Sequence, residues 1–208
     1  FNIVGKYGMQ VQAVLKKASQ LEIKTICPLH GPILRENLAH YINKYDIWSK
    51  YETESEGVYI ACASIHGNTL KVCEKLKEIL EEKGAEKVVL ADLSREDWAE
   101  AVEDSFRYGK IVFASATYDM GIFTPMRELL LNLKEKNYQN KKVAIIENGT
   151  WAPNAARCMK EIVSTMKNIE IVEPVVTIKH KSNNIFNTIF IYFILFTSFL
   201  IHKTFFIV

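Results

Sequence analysis

The chain has no closely spaced cysteines. Its four, Cys27, Cys62, Cys73 and Cys158, are widely separated and form no CxxC pair. Three lie within apolar runs, which reads as buried free thiols in a reducing, cytoplasmic setting rather than disulfides or a zinc site. An excess of one charge sign is missing too. Lys and Arg number 26 against 24 Asp and Glu, for a net charge of +2, so no nucleic-acid partner is implied. The start lacks the basic-then-apolar pattern of a secretory signal, and it is Phe rather than Met, which points to a fragment or a processed chain. There is no internal repeat, and no low-complexity segment precedes residue 182.

What is present is a substantial apolar fraction, 49% of 208 residues, enough for one domain of ordinary size and part of another. In residues 1–50, Val11, Val14, Leu15 and Ala18 recur at helical spacing. The stretch 21–26 alternates like a strand, Pro28-Leu29-His30-Gly31-Pro32 is a rigid loop, and Leu38, Tyr41, Ile42 and Tyr45 predict a second helix. Such a set buries too little to stand alone and reads as the end of something larger. Residues 51–56 form a polar linker.

From 57 onward the pattern alternates. Strand-like runs at 57–62, 87–90, 110–114, 142–146 and 171–178 are separated by four helical stripes: Leu70, Cys73, Leu76, Ile79 and Leu80; Trp98, Val102 and Phe106; Met126, Leu129, Leu130 and Leu133; and Ala155, Met159, Ile162, Val163 and Met166. Ser94-Arg95-Glu96-Asp97 has the outline of a capping box before the second stripe. Five strands with four intervening helices predict an α/β doubly wound parallel sheet covered on both faces, over residues 57–181.

Ligands of such sheets sit beyond the carboxyl ends of the strands. Three loops there are unusual together: Ser64-Ile65-His66-Gly67-Asn68-Thr69, Ser115-Ala116-Thr117-Tyr118-Asp119-Met120-Gly121, and Glu147-Asn148-Gly149-Thr150-Trp151-Ala152-Pro153-Asn154. Singly, each has an ordinary explanation in helix capping or surface packing. Jointly, one supplies hydroxyl and backbone donors for a phosphate, and the others set aromatics beside glycines that let a ring edge approach the backbone. The combination points to a flat, phosphorylated cofactor.

Ser-x-x-Gly-Asn-Thr resembles the FMN-phosphate loop of flavodoxins. Thr-Tyr-Asp-Met-Gly-x-Phe-x-Pro-Met and Glu-Asn-Gly-Thr-Trp-Ala-Pro resemble the second and third FMN loops in the flavodoxin domain of flavodiiron proteins (A-type flavoproteins). The segment Ile26-Cys27-Pro28-Leu29-His30-Gly31-Pro32-Ile33, followed by Lys44-Tyr45-Asp46-x-Trp48-Ser49, resembles the end of that family's metallo-β-lactamase-like domain. The resemblance covers about residues 1–180. It implies that 1–50 are a remnant of that domain, ahead of a flavodoxin-like FMN domain. It places Ser64, His66, Gly67, Asn68 and Thr69 around the phosphate, and Thr117, Tyr118, Asp119, Gly121, Asn148, Gly149, Thr150 and Trp151 near the ring. The family often has an aromatic at the position of His66 and a small or polar residue at that of Met120. His30 matches the last histidine ligand of the family's diiron site. No His-x-Glu-x-Asp-His run accompanies it, so no diiron centre is expected in this fragment. The implied role is an electron relay in an oxygen- or nitric-oxide-reducing flavodiiron protein, with rubredoxin or a flavin reductase as donor and a homodimer as the complete assembly.

A free-standing flavodoxin-like carrier and a non-functional truncated product stand as alternatives. A phospho-receiver is excluded, because Cys62-Ala63 and Ser115 occupy the places of its acidic residues. Beyond 181 an amphipathic final helix is expected but absent. Residues 185–201 carry no charge and no helical period, close to the lower limit of roughly 17 residues for a membrane span. The tail 182–208 is therefore either a membrane anchor or the product of a lost reading frame. Frame loss is the favoured reading, and it predicts an exposed sheet face.

Overall fold

A computed structural model describes residues 1–3 and 5–179. The expectations for the tail 182–208 lie outside the described residues. A short turn, Gly5–Tyr7, leads into α1 (Gly8–Ala18), and α2 spans Leu38–Ser49. The sheet domain then runs β1 (Ser55–Ala63), α3 (Asn68–Glu82), β2 (Val88–Asp92), α4 (Trp98–Arg107), β3 (Tyr108–Tyr118), β4 (Gly121–Ile122), α5 (Thr124–Glu135), β5 (Gln139–Asn148), α6 (Ala155–Val163) and β6 (Lys167–Ile178).

The strand order is β2-β1-β3-β5-β6, with parallel pairing along this path. That is the flavodoxin-like order, with its switch point between β1 and β3. Period-two alternation divides each strand between two apolar clusters. Tyr59, Ala61, Ile111, Phe113, Val143 and Ile145 face α4, α5 and α6. Val58, Ile60, Cys62, Val112, Ala114, Ala144 and Ile146 face α3 through Val72, Cys73, Leu76 and Leu80. Burial on both faces is why these strands read as unbroken apolar runs.

Several expectations are corrected. The five expected parallel strands are all present, and a sixth, β4, is added beside β3. β4 is a two-residue strand antiparallel to β3, too short to leave a periodic signal. Residues 21–26 form no strand; an isolated bridge between Ile26 and Leu34 is all that pairs there. The linker 51–56 is not free. β1 takes its last residues, and Tyr51 is buried. The Tyr51 hydroxyl donates to the Gly5 carbonyl at 2.7 Å and accepts from the Gly8 N–H and the Asn137 amide, each at 3.3 Å.

α4 is capped by Asp97, whose carboxylate accepts from the Ala99 N–H at 2.7 Å. Ser94 instead belongs to a turn built on Asp92, which accepts from the Ser94 N–H at 3.0 Å. Val172, Val176 and Ile178 of β6 are buried in the α3-side cluster. Cys62 and Cys73 are buried free thiols, Cys158 is half-buried and Cys27 is exposed. Among the described residues, no helix is long and apolar enough to cross a membrane.

Candidate functional site

The register places the three loops side by side. Ala63 at the end of β1 pairs with Ser115, and Ala116 of β3 pairs with Asn148 at the end of β5. The loops that follow β1, β3 and β5 therefore leave the same edge of the sheet from adjacent strands.

In the first loop the backbone turns at Gly67, whose φ of +79° lies in the left-handed region and favours glycine. α3 begins at the next residue with no side-chain cap. Its first-turn N–H groups are thus not taken by a capping oxygen, the arrangement that attracts an anion. The Ser64 hydroxyl is buried without a protein partner. Such a group costs roughly 1–3 kcal/mol unless something pairs with it. Thr69 is buried, and its Oγ1 accepts from the Asn148 amide at 3.4 Å, which ties the first loop to the third. His66 and Asn68 are exposed.

The second loop is a two-residue hairpin between β3 and β4. Tyr118 pairs with Gly121, and both intervening residues have positive φ: Asp119 at 46° and Met120 at 57°. Such a turn favours Asn, Asp or Gly, so Asp119 suits it, while the Met120 side chain there costs of the order of 1–2 kcal/mol. The left-handed residues of the turn are Asp119 and Met120, not Gly121. A Cβ on Gly121 would meet only the Tyr118 and Asp119 carbonyls at ordinary contact distance. The turn points Tyr118 outward, 54% exposed, with its ring edge-on to Phe123 at 5.9 Å.

In the third loop the glycine is required. A Cβ on Gly149 would lie 2.8 Å from Pro153 Cα and 3.1 Å from Thr117 Oγ1. The demand comes from the protein's own packing. The Gly149 N–H donates to the Ile178 carbonyl at 3.1 Å. Thr150 is exposed, and Trp151 is 94% exposed, so its indole has both faces available.

Thr117, read from sequence as a ring contact, holds the start of α6. Its hydroxyl accepts from the N–H groups of Asn154 at 3.0 Å and Ala155 at 3.2 Å. Glu147 is buried beneath the loop. Its carboxylate accepts from the Ala156 N–H at 2.9 Å and from the Thr177 hydroxyl at 2.8 Å. Sequence reading singled out neither Glu147 nor Asn154 as functional. Their signal was present in the Glu-x-x-x-x-x-x-Asn spacing across a loop before a helix, but it is indistinguishable from ordinary capping.

His30 is exposed, on a loop far in sequence from these three. Among the described residues, no three His, Cys, Asp or Glu side chains come together in a way that could hold a metal.

No protein-family model matches the chain. A nitric oxide reductase of Moorella thermoacetica is 26% identical over 182 residues, covering 86% of this chain and 43% of that protein. The structure of a flavo di-iron protein variant from Thermotoga maritima superposes with a TM-score of 0.81 at 27% identity, covering 95% of this chain and 49% of that one. Rubredoxin oxygen:oxidoreductase of Desulfovibrio gigas superposes with a TM-score of 0.84 at 20% identity, a likeness of fold, over 96% of this chain and 50% of that one. The chain thus spans about half the length of these relatives. The flavodoxin-like strand order and the three loops at one sheet edge agree with these likenesses: nearly the whole chain is similar to about half of a flavo di-iron protein.

Proposed function

We propose that the described sheet domain binds FMN and serves as the electron-relay part of a flavodiiron-type oxygen or nitric oxide reductase. The observation that carries the reading is the first loop. A buried Ser64 hydroxyl without a partner, a left-handed Gly67 and an uncapped α3 meet beside the buried Thr69 hydroxyl. Together these groups fit a phosphate. Ser64, His66, Gly67, Asn68 and Thr69 hold it. Tyr118 and Trp151 present rings for stacking, and the backbone around Asp119, Gly121, Asn148, Gly149 and Thr150 supplies polar contacts to the ring edge; Thr117 shapes the same wall.

When bound, FMN supplies one- and two-electron transfer. The residues of this chain bind it, orient it and set the polarity around it. Residues 1–50 are a remnant of a metallo-β-lactamase-like domain, and 57–181 with the preceding strand residues are the FMN domain. His30 serves as a metal ligand only in a complete chain that supplies the other ligands. The electron donor is a small redox protein such as rubredoxin or a flavin reductase. The complete protein is a cytoplasmic homodimer, and this chain relays electrons without housing the oxygen- or nitric-oxide-reducing centre.

Thr69→Val tests the reading. The purified chain is expected to take up FMN stoichiometrically. The variant is expected to weaken FMN by about 1–3 kcal/mol while leaving riboflavin nearly unchanged, because a hydroxyl donor to the phosphate is lost. A chain that takes up no FMN, or a variant that weakens both ligands alike, overturns it.

A further inference from the structure

We infer that Asn154 is a positioning residue that locks the second loop to the third and so sets the width of the ring-binding gap. This inference rests on the FMN reading above. The observation behind it is a set of directed contacts. The Asn154 side-chain amide donates to the Met120 carbonyl at 2.5 Å, across to the strained hairpin. Its own N–H donates to Thr117 at 3.0 Å, on the strand that leads into that hairpin. The Arg157 guanidinium donates to Asn154 Oδ1 at 2.8 Å, which leaves only the NH2 group to face Met120. The same NH2 lies 3.7 Å from Cys158 Sγ.

Two consecutive non-glycine residues at positive φ relax unless something holds them. The carbonyl held by Asn154 belongs to one of those two residues, Met120. Tyr118 and Gly121 flank the turn, and Gly149 and Trp151 lie on the loop that Asn154 ends. One side chain therefore couples both walls proposed for the ring, and it makes no demand on the phosphate end. Loss of the bond is expected to weaken every flavin that carries the ring, phosphorylated or not. That separates its effect from Thr69→Val, which acts on FMN alone.

Asn154→Asp is the discriminating variant. Aspartate keeps the shape and still accepts from Arg157, but it sets a carboxylate oxygen against the Met120 carbonyl in place of the donor, and the weak contact to Cys158 Sγ is lost with it. FMN and riboflavin are each expected to bind roughly tenfold more weakly, the loss of one well-placed hydrogen bond. In the flavin-free chain, amide exchange at residues 119–122 is expected to quicken, while the thermal midpoint stays close to that of the parent. Met120→Gly added to Asn154→Asp is expected to restore part of the lost flavin binding, because glycine adopts positive φ without strain. Should Asn154→Asp alone fail to fold, recovery of the fold in the double variant supports the same inference and continued failure overturns it. Unchanged exchange at 119–122 overturns the inference whether or not the chain binds flavin. Weakening confined to FMN also overturns it. A parent chain that binds neither flavin removes the FMN reading but leaves the exchange test of the clamp standing.

Discussion

Residues 8–49 and the sheet domain both carry apolar stripes at helical spacing, but they use them differently. α1 and α2 bury only Gly8 and Ser49, each at a helix end. Leu15, Leu21, Ile26, Leu34, Ile42 and Trp48 line an open apolar groove between them. α3, with a comparable stripe, buries Thr69, Val72, Cys73, Leu76 and Leu80 against the sheet. A stripe marks a face that could be covered; a neighbouring element decides whether it is. The two regions meet at the buried Tyr51, at Phe1, whose ring stacks on Phe106 and lies edge-on to Trp48, and at the Lys44–Glu54 ion pair.

The largest expected effect sharpens that contrast. Leu129→Ala, at a fully buried position of α5, is expected to cost about 2–5 kcal/mol in denaturant unfolding through the cavity it leaves. Leu21→Ala, at a position 70% exposed, is expected to stay within about 0.5 kcal/mol. Equal costs would mean that the groove is filled in solution.

Next in size is a pH effect confined to the sheet domain. Lys141 is buried, donates to the Phe106 carbonyl at 2.7 Å, and is pushed down to about 8 by burial. Between that value and the ordinary lysine pKa of roughly 10.4, the unfolded chain holds a proton that the folded chain has released. Stability is therefore expected to rise from about pH 8 toward 10, by an amount of the order of 3 kcal/mol at most. Tyr59 and Tyr138 act in the opposite sense. Burial pushes both hydroxyls up, so the unfolded chain ionises first, and stability is expected to fall above pH 10. Lys141→Met is expected to abolish the rise and keep the fall, as read by urea midpoints across this range.

Tyr51→Phe probes the junction of the two regions. Loss of the hydroxyl is expected to cost about 1–2 kcal/mol and to speed amide exchange in 5–20 more than in the sheet strands. A uniform change would mean that the regions unfold as one unit. The smallest stability effect is expected from Trp151→Ala, within about 0.5 kcal/mol, because the indole is almost fully exposed. Its readout is the visible spectrum of added FMN, and an unchanged spectrum would place that indole away from the ring.

How far the sequence could be read follows the same division. The sheet strands were legible because burial on both faces demands continuous apolar runs, and the helices between them because one face must be apolar. The loops were legible as a group, since Ser64, Gly67 and Thr69 after one strand and Gly149 after another are residue types that a phosphate or a tight turn needs. Strand β4 was not legible, because two residues carry no period. The stretch 21–26 alternates like a strand, but among the described residues it has no strand to pair with, and its backbone pairs at a single bridge, Ile26 with Leu34.

By itself the sequence determined the order of elements, the two faces of the sheet and the polar character of the three loops, since each follows from local spacing and burial. Only the tertiary structure decided which loop residue does what. The Thr117 hydroxyl supports the start of α6, left-handed backbone falls on Asp119 and Met120, and Asn154 ties two loops together. The physical reason is that a hydrogen bond between loops depends on where two distant strands end relative to each other. That register is fixed by packing across the whole sheet and leaves no trace in any local stretch of residues.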